Sequence, residues 1–451
     1  MGGSTARCEL VATELDDAGC GVGPVDGRRV HVTDLLPGER AEVAIDHASP
    51  HRAEAWGRIV RRLGAASPDR VTPACPAFGR CGGCVWQHLA YPAQLVAKRR
   101  KVAAALPGLA VAEVRPSPQL YGYRNKGKYV VGRAGGHVVL GAYAPRSHHV
   151  VDTLGCRVVA PIVDEVAAWV RGAVEQAGLV PYDEPTRGGE LRYVIVREAG
   201  GDVLVALVVT SATPRGKLER VANALARHPA LRGLVAIAND RRDGAIVPSG
   251  SSAQVLFGHG HLVEQLAGVA VAVGAGEFLQ VNRAQAAAMY ARVVELALEA
   301  TPLPARAVDL FAGLGGIGLG LARAGVRVVA AELDAEAVAQ LRRAASRAEL
   351  PLAAIAGDTA ALGPELHAQL DGPPSIVVVN PPRKGLGDGA RALVAELAAP
   401  IVIYASCGPE SLGRDLAALG THGYAPDAIE PFDLMPGTGQ VETVVRLRRA
   451  T

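Results

Sequence analysis

Apolar and polar positions alternate in Arg29-Val30-His31-Val32 and Ala41-Glu42-Val43-Ala44-Ile45, the period of a half-buried strand. Gly19, Gly21, Gly23, Gly27 and Pro37-Gly38 punctuate this region, as turn residues do between short strands. Residues Cys8 to Leu63 therefore predict a small closed barrel of the OB type, ending on the strand Trp56-Gly57-Arg58-Ile59-Val60. Ser67-Pro68-Asp69-Arg70 reads as a linker. Tyr91 to Leu106 has helical spacing and stops before Pro107-Gly108. Between Tyr121 and Val273 the pattern predicts strands at Lys128–Val131, Val138–Tyr143, Leu191–Glu198, Asp202–Val209 and Gly233–Asn239. Helices near Ile162–Glu175 and Lys217–His228 interrupt them.

From Ala284 the chain alternates helix and strand. Helix Gln285–Glu299 leads to strand Ala307–Leu310, helix Ile317–Ala324, strand Val326–Glu332, helix Ala335–Ala348 and strand Leu352–Ala356. Strands Ser375–Val379 and Ile401–Ala405 follow. Apolar strands separated by helices predict a parallel sheet covered on both faces. Such sheets bind ligands at the carboxyl ends of their strands. The expected fold is α/β in three units: an OB-type β-barrel over 1–65, a central mixed α+β domain over 66–272, and a Rossmann-like domain over 273–451. The helix over 91–106 is free to pack on the last unit.

Hydrophobic residues make up 49% and charged residues 20% of the 451, which suits a packed globular protein. Aromatics are only 4%, so aliphatic side chains must fill the cores. A net charge of +3 is too small to argue for nucleic acid by itself. Two local clusters, Lys98-Arg99-Arg100-Lys101 and Arg124-Asn125-Lys126-Gly127-Lys128, read either as backbone contacts for a polyanion or as solvated faces. The N-terminus carries no basic region with an apolar signal core, and no run of about 18 apolar residues free of charge appears. A cytoplasmic location with no membrane partner is expected, and a monomer is the default.

Seven cysteines in such a chain argue against a disulfide framework. Cys75, Cys81 and Cys84 are clustered, and Gly82-Gly83 permits the turn that would aim two sulfurs at one centre. Cys156, in Leu154-Gly155-Cys156-Arg157, is the candidate fourth ligand. Four thiolates suit tetrahedral zinc or an iron–sulfur cluster, and spacing does not choose between them.

The loop Asp309-Leu310-Phe311-Ala312-Gly313-Leu314-Gly315 follows a strand and opens a helix. Gly313 and Gly315 would let the backbone approach a ligand. Glu332 ends the next strand, where an acid can bind ribose hydroxyls, and Asp358 ends a third, where it can meet an adenine edge. Gly318 completes a dinucleotide-type spacing, but no second mononucleotide half is visible, so S-adenosylmethionine is the expected cofactor. Strand Ile401–Ala405 ends at a thiol, Cys407, the upstream strand ends at Asn380-Pro381-Pro382-Arg383, and Glu442 lies downstream. A thiolate adding to carbon 6 of uracil makes carbon 5 nucleophilic toward a methyl sulfonium. A base must then remove the carbon 5 proton so that the thiolate can leave. Cys407 and Glu442 supply these two groups. Each also has an ordinary alternative, a buried apolar thiol and a surface carboxylate.

These motifs resemble the RNA uracil-5 methyltransferases that make 5-methyluridine in ribosomal and transfer RNA. The similarity spans nearly the whole chain. Gly21-Val22-Gly23 and Leu36-Pro37-Gly38-Glu39 resemble an N-terminal TRAM domain, and the cysteine run followed by Trp86-Gln87-His88-Leu89 resembles the cluster-bearing branch. The resemblance implies a 4Fe–4S cluster on Cys75, Cys81, Cys84 and Cys156. It implies cofactor-site roles for Gln280, in Phe278-Leu279-Gln280-Val281-Asn282, and for Phe311, Glu332 and Asn380. It implies Cys407 as nucleophile and Glu442 as base. Many members carry Asp at the Asn380 position. The Asn-Pro-Pro-Arg form is similar to the branch acting on a 23S ribosomal RNA uridine, which implies an unpaired or flipped uridine as substrate. Gly316 stands where Asn is common, and Arg157 where Pro often follows the fourth cysteine.

Other readings compete. Transfer RNA is the alternative substrate. Asn380-Pro381-Pro382 also resembles amino-group methyltransferases, which usually stack the base on an aromatic residue where Arg383 stands here. RNA cytosine-5 enzymes would usually place a second Cys in that loop, which has none. A non-catalytic RNA-binding factor would leave Cys407 and the cofactor loop idle.

Overall fold

The computed structural model describes residues 7–248, 250–299 and 304–450. Residues 1–6 of the expected first unit, and 300–303 and 451 of the last, lie outside this range. The chain opens with β1 (Arg7–Val11), β2 (Glu14–Leu15), β3 (Cys20–Val25), β4 (Arg28–Thr33), β5 (Arg40–Ala48) and β6 (Glu54–Leu63), in the order β1-β5-β6-β4-β3-β2. Strand β1 also comes against β3, and just beyond it Thr13 N–H donates to the Val22 carbonyl at 2.8 Å. Gly23 permits this approach, because a Cβ there would fall 2.2 Å from the Val11 carbonyl oxygen. Inside lie Leu10, Val30, Val32, Leu35 and Val43, the inward half of the alternating pattern.

Helix α1 (Tyr91–Ala105) follows, then β7 (Lys126–Ala134), β8 (His137–Tyr143), β9 (Val150–Asp152), α2 (Pro161–Ala177), β10 (Leu191–Ala199), β11 (Asp202–Val209), α3 (Arg215–Leu225), β12 (Leu231–Ala238) and β13 (Ala253–Gly258). The strands form a mixed sheet, β13-β12-β11-β10-β7-β8-β9. Helices α2 and α3 cover one face with Val163, Val170, Val174 and Val221. The hairpin β14 (His261–Leu266) and β15 (Val269–Gly274) packs on the other, in a core that also holds Leu319, Val338 and Leu341. That shared core ties the central sheet to the elements that come next.

These are α4 (Arg283–Leu298), β16 (Arg306–Leu310), α5 (Gly318–Arg323), β17 (Arg327–Glu332), α6 (Ala335–Arg347), β18 (Leu352–Ala356), α7 (Gly363–Leu370), β19 (Ile376–Val379), α8 (Gly387–Leu397), β20 (Ile401–Ser406), α9 (Pro409–Gly420), β21 (Tyr424–Phe432) and β22 (Glu442–Arg449). The sheet order is β18-β17-β16-β19-β20-β22-β21. Strands β16 to β20 are parallel, as their apolar runs predict. The sequence pattern did not reveal β21 and β22. Strand β22 runs antiparallel between β20 and β21. Helix α1 packs on α9, and its Val102 and Leu106 enter the core beneath β19 and β20. No helix among the described residues is long and apolar enough to cross a membrane.

Candidate functional site

The strand order reverses at β16, whose neighbours are β17 and β19. A doubly wound sheet leaves its ligand crevice at that point, beyond the carboxyl ends. Phe311 follows β16, Glu332 ends β17, Asp358 follows β18, Asn380 follows β19 and Cys407 follows β20. Strand β22 points the other way, so its first residue reaches the same edge. Ser406 pairs with Thr443 in the ladder, which makes Cys407 and Glu442 the next positions outward on adjacent strands.

One cavity of about 640 Å³ is lined by both of these residues. Its walls also include Gln280, Phe311, Gly313, Glu332, Asp358 and Asn380. The predicted residues are thus brought together, except Gly315. A Cβ at Gly315 would lie 2.3 Å from the Leu341 side chain, so that glycine serves helix packing rather than the cavity wall. Glu332 accepts from Gly313 N–H at 2.9 Å and from Asp334 N–H at 2.9 Å, which fixes its carboxylate at the rim. Asp358 accepts from Ala360 N–H at 3.0 Å. Phe311 has φ of +61°, an uncommon conformation for a side-chain-bearing residue that clusters at ligand clamps.

The chemistry at the deep end is coupled. Burial pushes the Glu442 carboxyl up to about 7, against the pull of the Gln280 amide and the Arg383 guanidinium. Burial also raises the Cys407 thiol, and the Glu442 charge raises it further, while Arg383 lowers it. Arg383 is held by Gln440 Oε1 at 2.5 Å. A neutral-range carboxyl beside a thiol is an arrangement suited to proton transfer. Tyr404, two residues before Ser406, donates to Asp415 at 2.6 Å, and Asp415 also accepts from Leu386 N–H at 2.9 Å. That hub fastens β20 to α9 and to the start of α8.

Sequence reasoning missed Tyr290. It lines the cavity from α4, and its ring fills the place beside Gly316, where a Cβ would come within 2.6 Å of it. The departure at Gly316 is therefore matched by Tyr290. A single Tyr in an Ala-rich helix carried no signal beyond core spacing.

The basic clusters are consumed internally in part. Lys98 is fully buried against Asp433 at 2.5 Å, Arg99 pairs with Glu113 at 2.6 Å and Lys101 with Asp17 at 2.7 Å. Asn125 and Lys126 are buried, and burial drives the Lys126 ammonium down to about 6. Arg99, Arg100 and Lys128 remain exposed, so each run is part internal and part surface.

The four cysteines are free and partly buried. Cys75 N–H donates to Gln87 Oε1 at 3.1 Å, and Gly82 N–H to the Tyr143 carbonyl at 3.3 Å. Cys81 and Cys84 both feel the charge of Cys156, and burial raises Cys84 to about 11. Among the described residues, no three His, Cys, Asp or Glu side chains are disposed to hold a metal ion, so the expected convergence is not seen. The donor type suits a tetrathiolate group.

No protein-family model matches the chain. An uncharacterized RNA methyltransferase of Halalkalibacterium halodurans is 31% identical over 97% of this chain and 96% of its own length. One from Thermosynechococcus vestitus is 32% identical, covering 98% of each. A third, from Gloeobacter violaceus, is 33% identical over 97% of this chain and 95% of its own. The crystal structure of Pyrococcus abyssi tRNA (uracil-54, C5)-methyltransferase in complex with S-adenosyl-L-homocysteine superposes with a TM-score of 0.76. It covers 98% of this chain and 100% of that one at 23% identity, which shows a shared fold.

Proposed function

This chain belongs to the RNA methyltransferases represented by these relatives, and from that premise we propose that it methylates carbon 5 of a uridine through a transient bond between Cys407 and carbon 6. The observation that carries the reading is the meeting of Cys407 and a neutral-range Glu442 at one sheet edge, in the cavity that also holds the glycine loop. S-adenosylmethionine would supply the methyl group as a sulfonium. Phe311, Gly313, Glu332, Asp358 and Asn380 would hold it, with Gln280 between it and the base, and Gly315 supporting the loop from behind. Cys407 would add to carbon 6, and the resulting enolate's carbon 5 would take the methyl group as its bond to the sulfonium sulfur breaks, leaving a neutral thioether. Glu442 then removes the carbon 5 proton, and the returning electron pair expels the thiolate. Arg383 favours the thiolate before the addition.

The substrate is RNA, and a 23S ribosomal uridine, unpaired or flipped, is the proposed target. The Asn380-Pro381-Pro382-Arg383 loop supports that choice. A transfer-RNA uridine is the second reading, favoured by the Pyrococcus abyssi neighbour's fold over its full length. Residues 1–65 are read as an OB-type TRAM barrel, 66–272 as the central domain and 273–451 as the methyltransferase domain. Cys75, Cys81, Cys84 and Cys156 would hold a 4Fe–4S cluster, with zinc as the alternative.

Replacing Cys407 by Ala should abolish methyl transfer while RNA still binds; undiminished turnover removes the nucleophile assignment. Mass-spectrometric mapping of 5-methyluridine in ribosomal and transfer RNA, with and without the gene, identifies the target. Absorption at about 400 nm after anaerobic purification supports the cluster, whereas a colourless protein with stoichiometric zinc selects the other metal.

A further inference from the structure

The segment from Asp433 to Gln440 connects β21 to β22 and delivers Glu442 to the cavity. It has no regular secondary structure, yet its carbonyls are gripped one after another from outside the C-terminal sheet. Asn282 Nδ2 donates to the Leu434 carbonyl at 3.1 Å and Lys98 Nζ to the Met435 carbonyl at 3.1 Å. Tyr123 donates to the Pro436 carbonyl at 3.3 Å, the Trp86 backbone N–H to the Gly437 carbonyl at 2.8 Å, and Lys101 to the Gly439 carbonyl at 3.3 Å. Gln94 closes the set. Its Oε1 accepts from Gly437 N–H at 2.8 Å, while its Nε2 donates to the Leu89 carbonyl at 2.8 Å and the Trp86 carbonyl at 3.2 Å.

Most of the grip comes from two places: α1, which supplies Gln94, Lys98 and Lys101, and the loop just after the cysteine run, which supplies Trp86; Tyr123 and Asn282 add one bond each. Gln94, Lys98 and Trp86 are buried, so these bonds do not compete with water. Gly437 has φ of +79°, and a Cβ there would lie 3.4 Å from both the Cys84 and Gln87 side chains. The strap is seated directly on the cysteine loop. Nothing in the cavity chemistry requires this: β22 could be reached by a free loop.

We propose that Gln94, Lys98 and Trp86 are positioning residues for the reaction, holding the 433–440 strap so that Glu442 stands ready to take the carbon 5 proton. They act through the strap and touch no reacting atom. The inference rests on the reading of Glu442 as base. A loosened strap slows the last step, proton removal and thiolate release, more than the first, addition of Cys407. Loss of the grip should therefore leave RNA bonded to protein. A generally damaged fold would instead lose the addition as well.

The experiment compares Gln94→Ala, Gln94→Glu and Gly437→Ala with Glu442→Gln and the unaltered protein, each incubated with RNA and S-adenosylmethionine. Covalent RNA–protein adduct is read on a denaturing gel alongside 5-methyluridine formation and thermal unfolding. Gln94→Ala and Gly437→Ala should lower kcat by at least about tenfold, with KM for RNA within about twofold, and should accumulate adduct as Glu442→Gln does. Gln94→Glu keeps the acceptor for Gly437 N–H but sets an oxygen against the Leu89 and Trp86 carbonyls, so it should recover little of kcat. If Glu442→Gln traps adduct while folded Gln94→Ala and Gly437→Ala variants do not, the positioning role is overturned and the base survives. If Glu442→Gln traps nothing either, the base assignment fails and the positioning role falls with it.

Discussion

As the proposed base, Glu442 must be uncharged enough to tolerate burial and basic enough to take a proton. Its carboxyl, raised to about 7 by burial, meets both demands near neutrality. The base form must be ionised, so the rate of product release should climb with pH between about 6 and 8, and Glu442→Gln should lack that limb. A flat single-turnover profile across this range would count against the assignment. The same shift has a cost in stability. A carboxyl raised on folding leaves the folded state at full strength below its unfolded value near 4.5. It then weakens the fold progressively as pH rises through about 7. Glu442→Gln should therefore unfold at a higher temperature than the parent at pH 8, with the gap shrinking toward pH 5. Cys407, Glu442 and the Phe311 loop were singled out in the sequence by their strand-end placement and residue type, and all three line one cavity. Tyr290 was not singled out, because its role depends on the ring-sized space beside Gly316, and shape of that kind has no sequence period.

Among the elements, the strands carried by long apolar runs, β16 through β20, follow directly from burial on both faces. Strands β21 and β22 contain Pro426, Pro431 and alternating charges such as Arg446 and Arg448, so no apolar run marks them. Arg446 is accommodated by ion pairs with Asp427 and Glu299, partners visible only after folding. The fastening of β20 was equally hidden. Asp415 receives Tyr404, Leu386 N–H and Arg391 in one buried cluster. Asp415→Ala leaves at least two buried donors without an acceptor, at about 1–3 kcal/mol each. Chemical denaturation should show a loss of about 3 kcal/mol, with Tyr404→Phe costing less, because it removes a donor rather than the shared acceptor.

At the scale of the whole molecule, α1 is a bolt between the N-terminal region and the last sheet. Its Lys98 reaches Asp433 with both side chains fully buried. A buried pair broken on one side strands the other charge, so Lys98→Met should destabilise by about 3–5 kcal/mol, while Lys98→Met with Asp433→Leu should recover much of that loss. Equal losses in the single and double variants, measured by urea unfolding, would deny that the stranded charge is the cause. Lys98 could not be told from its exposed neighbours Arg99 and Arg100 in the sequence, because a cation consumed inside a protein and one offered to a polyanion look the same in one dimension.

The two reactive side chains stand on adjacent strands whose spacing is set by a ladder of backbone bonds. The stretch of chain between those strands is free of that duty wherever it turns in solvent. Extra residues spliced between Thr421 and His422, in the exposed turn that follows α9, should leave catalytic throughput intact. The same insertion between Gly437 and Thr438 should silence the protein, because that bend is bonded at Gly437 to α1 and to the Trp86 loop.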